Sequence, residues 1–199
     1  MVMTLHRIVK YLAFGVALLV VSPVILIVRL EGVVKGREGL YNCVGTCLSL
    51  IPGTIGSFLR RGFYFGTSKK CSWDVSIEFG SFFAHREVVI GRNVNIGAYS
   101  IIGCAEIGDN VLIGSRVSIP SGKYQHLGQN GEVTHEEVRR ESIKIGRESW
   151  IGEGAIVLSD VGEKCIVSAG SVVMRPLPNN YMASGNPARL LNRQDFGKR

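Results

Sequence analysis

A chain of 199 residues has room for one domain with its own core plus an appendage, which excludes two full domains beside a membrane segment. Its 25 glycines and 8% aromatics suit many tight turns better than stacked long helices, and its net charge of +7 favours an anionic partner: a phosphate-bearing cofactor, an acidic membrane surface or nucleic acid. The five cysteines, Cys43, Cys47, Cys71, Cys104 and Cys165, form no CxxC pair and have no histidine at zinc-like spacing, which argues against a disulfide framework or structural zinc and for reduced, cytosol-facing thiols.

Residues 11–28, YLAFGVALLVVSPVILIV, are uncharged and about as long as a minimal bilayer-spanning helix. The charged Arg29-Leu30-Glu31 that follows is not a cleavage site, so the segment reads as an anchor rather than a signal peptide. Arg7 and Lys10 precede it and Arg29, Lys35 and Arg37 follow it, so both flanks claim the cytoplasmic side. Ser22-Pro23 inside the run removes a helix hydrogen bond and predicts a bend. In these features residues 7–30 resemble the re-entrant membrane helix of the monotopic phosphoglycosyl transferases, which implies that the anchor, residues 1–37, enters and leaves by one leaflet. Re-entrant and spanning forms both remain open.

Residues 38–70 form a second apolar stretch broken by glycines and Pro52 and containing Arg60-Arg61. They read either as interfacial helices with Arg60, Arg61, Lys69 and Lys70 near lipid head groups, or as helices capping the next domain.

From residue 71 a six-residue period dominates. Ile90-Gly91, Ile96-Gly97 and Ile102-Gly103 keep the step, Ile107-Gly108 comes one residue early, and Ile113-Gly114 and Ile119 resume it. The pattern returns at Ile145-Gly146, Ile151-Gly152, Val157, Val161-Gly162, Val167 and Val173. Small residues recur four positions on: Val94, Ser100, Val111, Val117, Ser149, Ala155, Cys165 and Ser171. Such a period predicts a three-sided tube of short parallel strands, with one aliphatic per side filling the interior and a small residue where the walls converge. Cys104 and Cys165 are then small packing residues. The segment before Val161 is shorter than a hexapeptide, so a corner there must be cut. This pattern is similar to the left-handed parallel β-helix of hexapeptide-repeat acyltransferases, a mainly β fold, over residues 71–192. A short C-terminal helical cap is expected after it.

The period vanishes in the polar insert of residues 120–142, which solenoids throw out as a loop from one edge. The insert resembles the extruded loop of the sugar O-acetyltransferase and xenobiotic acetyltransferase branches, which implies a histidine base: His126 first, His135 as runner-up. A neutral imidazole can take the proton of an attacking hydroxyl and return it to a departing thiolate. Glu136 or Glu137 could orient that ring. The stretch from Ile145 to the Gly-Asn-Pro-Ala-Arg of residues 185–189 resembles the family's acetyl-CoA-binding last coils. The resemblance implies pantetheine contacts at Gly152, Ala169 and Gly170, phosphate contacts from Lys164, Arg189 and Arg193, and Trp150 near the thioester.

The resulting expectation is a homotrimeric, acetyl-CoA-dependent O-acetyltransferase, acting on a lipid-linked or nucleotide-linked sugar at the cytoplasmic face of the inner membrane in cell-surface polysaccharide biosynthesis. No metal and no nucleic acid enter this reading, since His85, His126 and His135 lack the local spacing of a γ-carbonic-anhydrase zinc site and no basic-aromatic strip is present. A sugar N-acyltransferase and a non-enzymatic membrane scaffold are the alternatives.

Overall fold

Strands of two to four residues, most ending on a buried aliphatic, stack into a three-sided, mainly parallel tube of about five turns. The computed structural model describes residues 2–33, 37–127, 132–133 and 140–192. The first side is β1 (Lys70–Cys71), β4 (Val89–Ile90), β7 (Ala105–Ile107) and β10 (Ile143–Ile145). The second side stacks β2 (Val75–Ile77), β5 (Val94–Ile96), β8 (Leu112–Ile113), β11 (Trp150–Ile151), β13 (Ile166–Val167), β15 (Tyr181–Ser184) and β16 (Arg189–Asn192). The third is β3 (Phe82–Phe83), β6 (Ile101–Ile102), β9 (Ser118–Ile119), β12 (Ile156–Val157) and β14 (Val172–Val173). Cys71 and Val75 thus begin the first coil.

Inside the tube each side contributes one buried column, such as Ile77, Ile96, Ile113, Ile151 and Val167 from the second. Burying each such side chain is worth about 1.5–3 kcal/mol, and a coil obtains it only from its neighbours. The eight small residues of the sequence pattern are all buried where sides converge. Serines among them do more than fit. Ser100 Oγ donates to Gly114 O at 3.0 Å and accepts from Val117 N at 3.1 Å, and Ser149 Oγ does the same with Gly162 O (2.8 Å) and Cys165 N (3.0 Å). These hydroxyls satisfy peptide groups that a dry corner would otherwise leave unpaired.

The edges alternate in kind. Between first and second sides the chain turns through positive φ at Asn93, Asn110, Glu148, Lys164 and Asn180, and between second and third at Gly80, Tyr99, Arg116, Gly154 and Gly170. The short segment before Val161 is absorbed by shrinking the first side in the last coils to single bridged residues, Val161 against Ile145 and Leu177.

The tube's first coil is closed by three helices, α1 (Val2–Val33), α2 (Gly39–Ser49) and α3 (Gly53–Thr67). The glycines of Gly62-Phe63-Tyr64-Phe65-Gly66 let α1 press against α3: a Cβ on Gly62 would meet Leu18 Cα at 3.3 Å, and one on Gly66 would meet Ile25 Cδ1 at 2.6 Å. Two expectations are corrected here. Helix α1 runs unbroken through Pro23 rather than turning back. Proline leaves Leu19 O without its helical N–H, and the Ser22 hydroxyl donates to that carbonyl at 2.8 Å instead. Arg60 and Arg61 do not reach lipid head groups, because both are buried. Arg60 Nε donates to Ile77 O at 2.8 Å and Nη1 to Leu48 O (2.9 Å) and Ile51 O (2.8 Å), so a cation stands at the carbonyl end of α2. Residues 181–192 form an antiparallel strand pair, β15 with β16, and the helical cap expected after them lies outside the described residues. Residues 193–199 lie outside the description.

Candidate active site

The third-to-first edge carries the loop. The chain leaves the wall at Ser121 and returns at Glu141, whose N–H donates to Ser121 O at 3.0 Å, while Ser121 Oγ accepts from Cys104 N at 2.9 Å. This short neck fixes the stem of an insert that would otherwise have no wall to hold it. His126 stands exposed in a turn beyond the neck, closed by Leu127 N donating to Tyr124 O at 3.0 Å, and Leu127 bridges Val133 across the loop. His135, Glu136 and Glu137 lie outside the described residues, as does Arg193.

The same edge holds a cluster with no signature in the sequence. His85 Nδ1 lies 2.8 Å from Glu38 Oε2, Arg86 N donates to Glu38 Oε1 at 3.0 Å, and Arg140 of the loop's returning strand donates to Glu38 Oε2 at 3.2 Å. Burial acts to raise the Glu38 carboxyl, but the hydrogen bonds from His85 and Arg86 N and the charges of His85 and Arg140 outweigh it and hold the group at about 2. Glu38, His85 and Glu87 could bring ligand atoms within 4.8 Å of one another, yet Glu38 is already taken by three donors, one of them a guanidinium. That arrangement is an anchor for the loop stem rather than a cation cage.

Four of the residues expected at the donor site share the second-to-third edge. Gly152 stacks so closely on the next coil that a Cβ would lie 2.5 Å from Ala169 N, and Gly170, at φ +69, faces open space. Gly152 N donates to Val167 O at 2.7 Å and Gly170 N to Glu153 O at 2.8 Å, so neither N–H is available to a ligand. Ala169 is exposed and, among the described residues, its N–H makes no ladder bond. Arg189 is brought to this edge by the turn before it, where Val172 N donates to Gly185 O (3.0 Å), Ala188 N to Val172 O (2.9 Å) and Gly185 N to Ser171 Oγ (3.1 Å). It lines a cleft of about 350 Å³ with Met174, Arg175, Pro176 and Leu190.

The comparisons with known proteins agree with this architecture. Residues 87–121 match the bacterial transferase hexapeptide (six repeats) model, and residues 142–175 match the hexapeptide repeat of succinyl-transferase. Over these two stretches the chain is similar to hexapeptide-repeat acyltransferases. It is 33% identical over 93 residues to the galactoside O-acetyltransferase of Escherichia coli K12, covering 43% of this chain and 42% of that one. A second E. coli K12 protein, whose name places it in lipopolysaccharide biosynthesis as an O-acetyl transferase, is 29% identical over 123 residues, covering 56% of this chain and 63% of its own length. The chain therefore spans less than two thirds of these curated relatives. Among solved structures, a maltose O-acetyltransferase from Clostridium difficile 630 superposes with a TM-score of 0.62 at 24% identity, covering 81% of this chain and 88% of that one, and shares the fold. The fold class is the expected left-handed parallel β-helix.

In this hexapeptide-repeat chain the expected site residues do not converge within one tube. His126 projects from the third-to-first edge and Gly152, Ala169, Gly170 and Arg189 follow the second-to-third edge. Lys164 departs from both, because it turns the first-to-second edge and lies 3.8 Å from Glu148. Trp150 lies half-exposed on the outer face of the second side, between Leu112 and Ile166. Cys71, pushed up to about 12 by burial, and Cys104, raised by burial, are poor thiolates and packing residues.

Proposed function

We propose that this protein transfers an acetyl group from acetyl-CoA to a sugar hydroxyl, with His126 as general base. The observation that carries the reading is the division of the site. A histidine on a loop held at one edge, and a backbone N–H with a cation along another, make a complete centre only when tubes pack side by side. The reading takes the assembly to be a trimer with one centre per interface. In the reaction His126 takes the hydroxyl proton as the sugar oxygen attacks the thioester carbonyl. In this reading the Ala169 N–H donates to the developing oxyanion. The tetrahedral intermediate then expels the thiolate, which takes the proton from the imidazolium, leaving the sugar ester and free CoA.

The acceptor in this reading is a lipid-linked or nucleotide-linked glycan precursor of cell-surface polysaccharide, met at the cytoplasmic face of the inner membrane. Support comes from the O-acetyl transferase names of its relatives and from the 26-residue helical segment Ile8–Val33, in which an 18-residue stretch reaches a mean hydropathy of 2.6. The test is thiol release from acetyl-CoA with a panel of free, nucleotide-linked and polyprenyl-linked sugars, combined with light scattering of the detergent-solubilised protein. Acceptor-dependent release from a particle of three chains supports the reading. A fully active monomer overturns the shared site, and acetyl-CoA turnover with none of these sugars overturns the acceptor class.

A further inference from the structure

We propose that α1 lies lengthwise in a single leaflet, neither crossing the bilayer nor looping back, with its outer face in lipid. The inference rests on the membrane association proposed above and specifies its geometry.

Both ends of α1 are fastened to the same end of the tube. Near its start, Lys10 pairs with Asp74 of the first coil and the Tyr11 ring stacks on Trp73 with centroids 4.2 Å apart. Near its end, Arg29 Nε donates to Gly66 O at 2.6 Å and Glu31 pairs with Arg86 at 2.7 Å. Between these fastenings the helix rises about 32 Å, the thickness of a bilayer's hydrocarbon core. A spanning helix would have to carry one fastened end, and the coil beneath it, through the membrane. A re-entrant hairpin would need a turn at Pro23, where the helix is continuous.

The two faces of the helix differ by contact rather than by polarity. Ala17, Val21 and Val28 are buried, with the inner face close against Gly62 and Gly66 of α3. Leu12, Val16, Leu19, Val20, Leu26 and Ile27 are 55–75% exposed on the other face. Such a continuous exposed apolar face has only lipid or another apolar surface as a stable environment. Charge selects lipid. The first 74 residues contain three carboxylates, Glu31, Glu38 and Asp74, and each is engaged by a cation: Arg86, His85 with Arg140, and Lys10. Arg29, Arg37, Lys69 and Lys70 are exposed. The helical layer therefore shows an anionic leaflet cations and apolar side chains, with its carboxylates withdrawn into ion pairs.

The experiment places a spin label at Leu12→Cys, Leu19→Cys or Leu26→Cys in the full chain carrying Cys43→Ser and Cys47→Ser. The protein is reconstituted in vesicles of phosphatidylcholine and phosphatidylglycerol, and depth is read by electron paramagnetic resonance power saturation. The proposal expects equal depths at all three sites, about 5–10 Å below the head groups. Depths that place Leu12 and Leu26 on opposite sides of the mid-plane, about 21 Å apart along the axis, mean a span. A deep Leu19 between shallow neighbours means a re-entrant loop. Labels shielded from oxygen and broadened by a second label mean that another copy covers the face. Each of these three overturns the in-plane helix, whereas failure to bind vesicles at all overturns the membrane association beneath it.

Discussion

Glu38 Oε2 lies 2.8 Å from His85 Nδ1 and 3.2 Å from Arg140 Nη1, joining the helical layer, the first coil and the returning stem of the extruded loop through one carboxylate. Its carboxyl is held at about 2 against an ordinary 4.5, so the stabilisation is fully present above pH ~4.5 and is lost as pH falls toward 2. Glu38→Gln should lower stability at neutral pH by on the order of 1–2 kcal/mol after allowance for solvent screening, and flatten the loss between pH 4.5 and 2. Urea midpoints measured across that window check both effects. Equal acid sensitivity in the variant would show that other carboxylates set it.

His126→Ala should reduce acetyl transfer by about 10² to 10⁴ while leaving acetyl-CoA binding near normal, because a base acts on the proton in flight and not on the donor. Turnover and calorimetric CoA affinity separate the two. If His135→Ala is dead while His126→Ala turns over normally, the base is misassigned.

Two glycines on one edge should respond differently to the same methyl. In Gly152→Ala the new Cβ meets backbone at 2.5 Å, with no flexible side chain to yield, whereas in Gly170→Ala it meets open space and carries only the strain of φ +69. The expected losses are about 2–4 kcal/mol for the first and about 1–2 kcal/mol for the second. Thermal melts compare them directly.

Arg60→Met keeps much of the apolar stem but removes the guanidinium donor from the carbonyls of Ile77, Leu48 and Ile51, while Leu48 O still accepts from Ile51 N at 3.2 Å. A loss of about 2–4 kcal/mol is expected, with the amides of α2 exchanging faster than those of β5 and β8. Uniformly faster exchange would show that Arg60 supports the whole tube instead.

The tube was legible in the sequence because its period is local: an aliphatic every six residues, with a small residue four positions on, states both the wall and what fills it. The loop was legible for the same reason, as a break in that period, and so was the place of His126 on it. Nothing local announces that Glu38 meets His85 and Arg140, 47 and 102 positions away, since ion pairs of that separation exist only once the coils have stacked. The two arginines at 60 and 61 looked like lipid-facing charge because charge is usually exposed; only the crossing of α2 and α3 brings carbonyls that make burial tolerable for Arg60. Pro23 looked like a break because proline cannot donate, and the Ser22 hydroxyl that covers the orphaned Leu19 carbonyl is a matter of rotamer, not of composition. Likewise the apolar run at 11–28 determines that a face seeks lipid or a partner, but its direction relative to a membrane is decided by the ties at Asp74 and Arg86, because a helix held to one body at both ends cannot place that body on two sides of a bilayer.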